Sequence, residues 1–281
     1  MQSGAIRPLN NMLPRNLFNA EHEAFRETVR KFYAKEVVPN IEKYEQQQHV
    51  DRELWNKAGT MGLLCATMPE AYGGSGVDRL YSMILIEEQA YAMDSSTGFS
   101  LHSDIVANYI NNFGNEAQKH YWLTRMASGE TVTAIAMTEP GTGSDLQAVR
   151  TTAVLDGDDY IINGSKIFIT NGYLCDMAVV VCKTGDTDKG SANLSLIIVE
   201  ADRVGFSKGK PLNKIGMKGQ DTCELFFDHV RVPKENLLGM EGMGFMMLMK
   251  ELAWERMLVA IICQAGAEAA LAHTVQYTKE R

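Results

Sequence analysis

The sequence predicts a multidomain α and β protein, helical first, then β, then helical again. Three observations predict it. Apolar residues recur at spacings of three and four as far as about residue 130. The period then falls to two, in short β-branched runs separated by turn residues. After Pro233 helical spacing returns, in a stretch from Phe245 to Ala265 with no Gly or Pro. At 281 residues and roughly 150 per domain, a single small module is excluded. We divide the chain at 1–131, 132–240 and 241–281.

Composition narrows the class. Lys and Arg number 27 and Asp and Glu 35, a net charge of −8, so no domain-wide basic field exists to neutralise phosphates and nucleic acid is not an expected partner. Hydrophobic residues at 45% and charged residues at 22% suit a globular chain with a sizeable core. The longest dense apolar stretch, Met257 to Cys263, is well short of a bilayer span, and no stable membrane insertion is expected. The five cysteines are odd in number and widely spaced, with no C-x-x-C and no His nearby, which points to reduced, mostly buried thiols and no metal site. The first twenty residues hold Arg7 and Arg15 and no acid, as transit peptides do, but a short irregular N-terminus is the plainer reading. The expected location is a bacterial-type cytoplasm, or the mitochondrial matrix if the source is eukaryotic.

In the first domain a helix begins at Asn19, with Glu21 and Glu23 in its first turn, carries Phe25, Val29, Phe32, Tyr33 and Val37 at helical spacing, and closes at Pro39. Further helices are predicted over 51–62, 78–93, 97–113 and 115–127, with the run PEAYGGSG (Pro69 to Gly76) a loop. The middle domain offers strands at 132–138, 150–155, 160–162, 166–170, 177–182, 194–199 and 223–227. Turns are expected at Asp156-Gly157 and at Asn163-Gly164, the latter a type I′ hairpin signal. Seven short strands suggest a barrel or a sandwich. Past the connector GMEGMGF (Gly239 to Phe245), one long helix runs on to about Tyr277, with an apolar face it cannot bury alone.

Three segments carry possible chemistry. In AMTEPGTGSD (Ala136 to Asp145) a strand ends in Thr138, and Gly141 and Gly143 bracket exposed backbone N–H groups beside hydroxyls. That is a cradle for phosphate or a polar ring, although any strand-to-strand loop uses the same residue types, and spacing leaves both readings open. KIFITNG (Lys166 to Gly172) ends another strand in Thr170. If the two strand ends are neighbours, their hydroxyls and Phe168 could frame one flat heteroaromatic ligand. On the last helix Glu251 and Glu255 stand one turn apart within KELAWERMLVA, where a partly desolvated carboxylate beside Trp254 and Met257 would suit a general base. A solvated face with Lys250 and Arg256 as counter-charges is the plainer alternative on spacing alone. The pattern gives His102 as a helix-packing residue.

Taken in order, AMTEPGTGSD, NGSKIFITNG, KIGMKGQDT (Lys214 to Thr222), HVRVPKENLLG (His229 to Gly239) and KELAWER resemble the acyl-CoA dehydrogenases, most closely their long-chain branch, with the isovaleryl-CoA branch as a neighbour. The resemblance covers nearly the whole chain. It implies a helical N-terminal domain, a middle β-barrel and the first helix of a C-terminal helical bundle, most of which would lie beyond Arg281. It also implies FAD as cofactor and α,β-dehydrogenation of an acyl-CoA, of long chain, to the trans-2-enoyl-CoA. An electron-transferring flavoprotein would be the electron acceptor and a homo-oligomer the full-length form. Ile135, Ala136, Met137, Thr138, Gly143 and Ser144 would lie along the flavin, with Phe168, Ile169 and Thr170 on its other side. Many relatives carry Trp where this chain has Phe168. Ser144, Ser191 and Arg256 would contact substrate. Glu255 falls on the base position of the long-chain and isovaleryl branch, with its backbone N–H expected to hold the thioester oxygen. The alternative function is a non-catalytic flavin or acyl-CoA binding remnant that needs a partner chain.

Overall fold

The computed structural model describes residues 15–185 and 193–281. Ser191 and most of the N-terminal segment carrying Arg7 lie outside the described residues. The first helix, α1 (Ala20–Phe32), starts at an Asn19 cap whose side chain accepts from the His22 N–H, and its first-turn acids Glu21 and Glu23 suit the helix dipole. Pro39 does not end the helical path. It sits at the start of a 3₁₀ turn, Val38–Asn40, where its missing N–H costs nothing, and α2 (Ile41–Gln47) follows directly. The remaining N-terminal helices are α3 (Arg52–Thr60), α4 (Arg79–Tyr91), α5 (Ala107–Phe113), α6 (Glu116–Gln118) and α7 (Thr124–Ala127), with π-helical turns at Leu101–Val106 and Lys119–Leu123. Trp55, Val29, Ile84 and Phe99 pack with Val132 in one buried cluster.

The middle segment forms one sheet from β1 (Thr133–Ala136), β2 (Thr152–Asp156), β3 (Asp159–Thr170), β4 (Met177–Thr184), β5 (Leu194–Glu200), β6 (Phe206–Lys208), β7 (Thr222–Pro233) and β8 (Leu237–Leu238). Pairing runs β6-β7-β3-β2-β4-β5-β8, with β1 added parallel to β4. The sheet is therefore open between β6 and β8, where a closed barrel was expected. The turn at Asp156-Gly157 joins β2 to β3 as predicted, with Gly157 at φ 65°. Asn163-Gly164 is not a hairpin. It is a bulge inside the continuous strand β3, between Ile162 and Gly164 in the pairing with β7. Asn163 spends its side chain on the His229 N–H of β7, and Gly164 lies so close to Thr151 that a Cβ would meet its hydroxyl at 2.4 Å.

The last element, α8 (Gly244–Glu280), is a 37-residue helix. By length and composition it is apolar enough to cross a membrane, which the short apolar runs read from the sequence did not foresee. In the structure it packs along α4, where Ala265 and Ala269 meet Ala90 and Tyr91 in a buried cluster. Met246, Met257, Val259 and Leu271 on its other side are exposed. Cys65, Cys175, Cys182 and Cys223 are buried thiols and Cys263 is exposed, and among the described residues no cluster could hold a metal.

Candidate active site

The site is assembled from two regions. In the first, β1 delivers Ile135 and Ala136 in extended backbone, and the chain then leaves the sheet through Met137 and Thr138. This loop is held to β3. The Thr138 carbonyl accepts from the Ile167 N–H at 2.9 Å, and Lys166 Nζ donates to the Met137 carbonyl at 3.0 Å and to Glu139 Oε1 at 2.9 Å. Glu139 in turn accepts from the Arg150 and Thr151 N–H groups at 2.7 and 2.9 Å, closing the loop onto its own far end. Burial alone would raise the Glu139 carboxyl. Lys166 and the Thr151 N–H override that and hold it below its ordinary range. The end of β1 at Thr138 thus lies beside Ile167, while the Thr170 end of β3 lies beside the start of β1, where the Asn171 amide donates to the Thr133 carbonyl at 3.3 Å. The two threonines are therefore not brought together as the sequence reading supposes.

Phe168 interrupts the β3–β7 register between Lys166 and Ile169, takes φ 61°, and leaves its side chain 62% exposed. A bulky residue in the left-handed region costs about 1–3 kcal/mol, and such strain collects at ligand sites. On the facing loop Gly143 and Gly141 meet nothing within 4 Å and have no positive φ, so neither packing nor backbone conformation demands glycine there. What glycine supplies is unshielded N–H, beside the exposed Ser144. Ile169 is buried behind Phe168, and Thr170 is half-buried. An exposed aromatic ring and a loop of free donors held to the same strand fit a flat heteroaromatic ligand with a polar or phosphate-bearing end.

The second region is on α8. Glu255 is half-buried and Oε1 accepts from the Tyr109 hydroxyl of α5 at 2.7 Å. Burial pushes the Glu255 carboxyl up and Glu251 adds to it, while the Tyr109 hydroxyl and the Arg256 guanidinium oppose. The direction of the shift is the one a general base for a weak carbon acid needs. Glu251 is 4% exposed and is held by the Asn112 amide at 2.9 Å, so neither acid belongs to the solvated face that spacing alone suggested. Arg256 is exposed. The Glu255 N–H lies deep inside a continuous helix, where it serves the preceding turn, and so it does not hold a thioester oxygen. One buried cluster joins the two regions, with Ile135 from β1, Tyr109 from α5 and Met247 and Leu248 from α8, and with Met137 and Phe245 packed against it.

Comparison with known proteins decides the family. Residues 19–130 match the model for the acyl-CoA dehydrogenase N-terminal domain and residues 134–230 that for the middle domain. The chain belongs to the acyl-CoA dehydrogenase family. It is 48% identical, over all of its length, to the mitochondrial long-chain specific acyl-CoA dehydrogenase of Sus scrofa, and it spans 66% of that relative. Its fold superposes on the acyl-CoA dehydrogenase of Geobacillus kaustophilus with a TM-score of 0.92 at 46% identity, covering 95% of this chain and 70% of that one. The acyl-CoA dehydrogenase of Bacillus anthracis, solved in complex with FAD, matches with a TM-score of 0.87 at 34% identity, covering 99% of this chain and 47% of that one.

Within this acyl-CoA dehydrogenase fold, Tyr109 is the partner of the candidate base Glu255 that motif reading missed. It sits in a helix core position with an ordinary pattern, and only the partner across α8 distinguishes it. His102 is buried between the Met126 carbonyl and the Thr133 hydroxyl, and burial pushes it down to about 4, so it packs as a neutral ring, as its pattern predicts.

Proposed function

We propose that the protein is an FAD-dependent acyl-CoA dehydrogenase that converts an acyl-CoA thioester, of long chain, to its trans-2-enoyl-CoA. The observation that carries this reading is the half-buried, upward-shifted carboxylate of Glu255, whose hydrogen-bond partner Tyr109 shares one packed core with Ile135 and Met137 of the β1 end. Bound FAD supplies a hydride acceptor for the β-carbon. Thr138, the N–H groups around Gly143 and the Ser144 hydroxyl would hold its polar atoms, and Phe168 with Ile169 and Thr170 would cover a ring face. Glu255 takes the α-proton at a carboxylate oxygen, and Arg256 is its positive neighbour. An electron-transferring flavoprotein is the proposed acceptor, and the exposed apolar residues of α8 suit a homo-oligomer.

The test is the flavin spectrum of the protein expressed from its complete gene, followed by anaerobic palmitoyl-CoA. Bleaching of the flavin band supports the reading. A flavin-free protein that still binds acyl-CoA would contradict it, and would support the binding remnant instead.

A further inference from the structure

Tyr109 and Asn112 lie three residues apart on α5, and opposite them Glu255 and Glu251 lie four apart on α8. The Tyr109 hydroxyl donates to Glu255 Oε1 at 2.7 Å, and the Asn112 amide donates to Glu251 Oε1 at 2.9 Å. The two helices are therefore joined by two rungs, each giving one acid its own donor. This arrangement answers a physical problem. Carboxylates at i and i+4 repel, and burial strengthens the repulsion. With Asn112 committed to Glu251, the phenol is left to Glu255.

The Tyr109 ring is 0% exposed and packs beside Phe113 within the core cluster, so the hydroxyl cannot swing away. Burial, and the charge of Glu255, push the phenol far above its ordinary value, which makes it a donor at every working pH and never a proton acceptor. Its bond engages Oε1 and leaves Oε2 available. The other charged groups around Glu255 are Glu251 and Arg256 on α8, Lys250 over the Phe113 ring at 5.2 Å, and Arg79 of α4 stacked on Trp254 at 4.3 Å. All of them persist when only the phenolic oxygen is removed.

We propose that Tyr109 is a positioning residue for the Glu255 base, its hydroxyl fixing Oε1 so that Oε2 faces the substrate α-carbon. The inference rests on the assignment of Glu255 as the base. It has a pH signature. A donor to the carboxylate favours the ionised form, so its loss must raise the pH at which Glu255 titrates, and a stronger donor must lower it.

The experiment is a ¹³C NMR titration of glutamate side-chain carboxyls in the substrate-free, flavin-loaded protein, with Glu255 assigned by its absence in Glu255→Gln. Tyr109→Phe keeps the shape of the ring, and the Glu255 midpoint is expected to rise by about one pH unit. Site-specific 3-fluorotyrosine at position 109, a more acidic phenol of nearly the same size, is expected to lower it. The acidic limb of kcat/KM should move in the same directions, with kcat falling about tenfold in Tyr109→Phe and KM nearly unchanged. A merely structural role would lower Tm and leave the midpoint in place. An unmoved midpoint in both folded variants overturns the inference. If Glu255→Gln meanwhile abolishes flavin reduction, the base assignment stands and only the positioning role fails, whereas near-normal reduction in Glu255→Gln removes the base assignment itself.

Discussion

Asp104, in the π-helical turn before α5, is buried, and its Oδ2 has no hydrogen-bond partner, while Oδ1 accepts from the Ser82 hydroxyl. Burial pushes this carboxyl from 3.8 up to about 7. The sign for stability follows from linkage. Between those two values the folded chain holds a proton that the unfolded chain has lost, so stability falls as pH rises through the window, and the full penalty is present above it. We expect Asp104→Asn to be more stable than the parent at pH 8 by on the order of a few kcal/mol, with the difference shrinking toward pH 4. Thermal melts of both proteins across that range check it, and a pH-independent difference would contradict it. Single residues were legible where chemistry and pattern coincide. Glu255 and Glu251 are readable as a one-turn carboxylate pair, and His102 as packing. Asp104 and Tyr109 are not, because a buried acid without a partner and a phenol aimed across a helix interface are properties of tertiary contact, which periodicity does not encode.

At the scale of elements, the turn chemistry of β2–β3 and the long helix α8 read directly from sequence. The Asn163-Gly164 signal did not. A dipeptide that favours positive φ serves a bulge as well as a hairpin, and only the β7 partner decides between them. The loop that follows β1 is the element with most at stake. Its fixed points are Lys166 and Glu139, with the lysine 0% exposed. Lys166→Met strands a buried carboxylate, and is expected to destabilise the fold by about 3–5 kcal/mol and to speed amide exchange over 139–151. Adding Glu139→Gln removes the stranded charge and should recover part of the loss. Denaturant melts with hydrogen-exchange mass spectrometry read both effects, and unchanged exchange in the loop would show that the ion pair does not hold it. The residue pattern offered this loop as a ligand cradle, and the resemblance implied the flavin as its ligand. The buried lysine that anchors it has no signature in sequence, since an alternating strand with Lys reads as a solvent-facing position.

At the scale of the molecule, no one domain contains the site. The strand ends proposed to face the flavin belong to the sheet, Tyr109 to the N-terminal helices and Glu255 to α8; Tyr109 bonds Glu255 directly, and the core cluster that includes Ile135, Tyr109, Met247 and Leu248 joins them to the sheet. The order helical, β, helical was legible because each switch of period is long and clean. The open sheet path, with β6 and β8 at its edges, was not, since strands of three and two residues carry too few alternations to read. The claim on which the functional account turns is that this assembly makes Glu255, and not its buried neighbour Glu251, the base. Anaerobic stopped-flow bleaching of the flavin by a saturated long-chain acyl-CoA tests it, in folded and flavin-loaded variants of the protein expressed from its complete gene. Glu255→Gln should retain flavin and acyl-CoA yet lose the reduction rate by roughly three orders of magnitude or more, while Glu251→Gln costs far less. Near-normal reduction by Glu255→Gln would contradict the account.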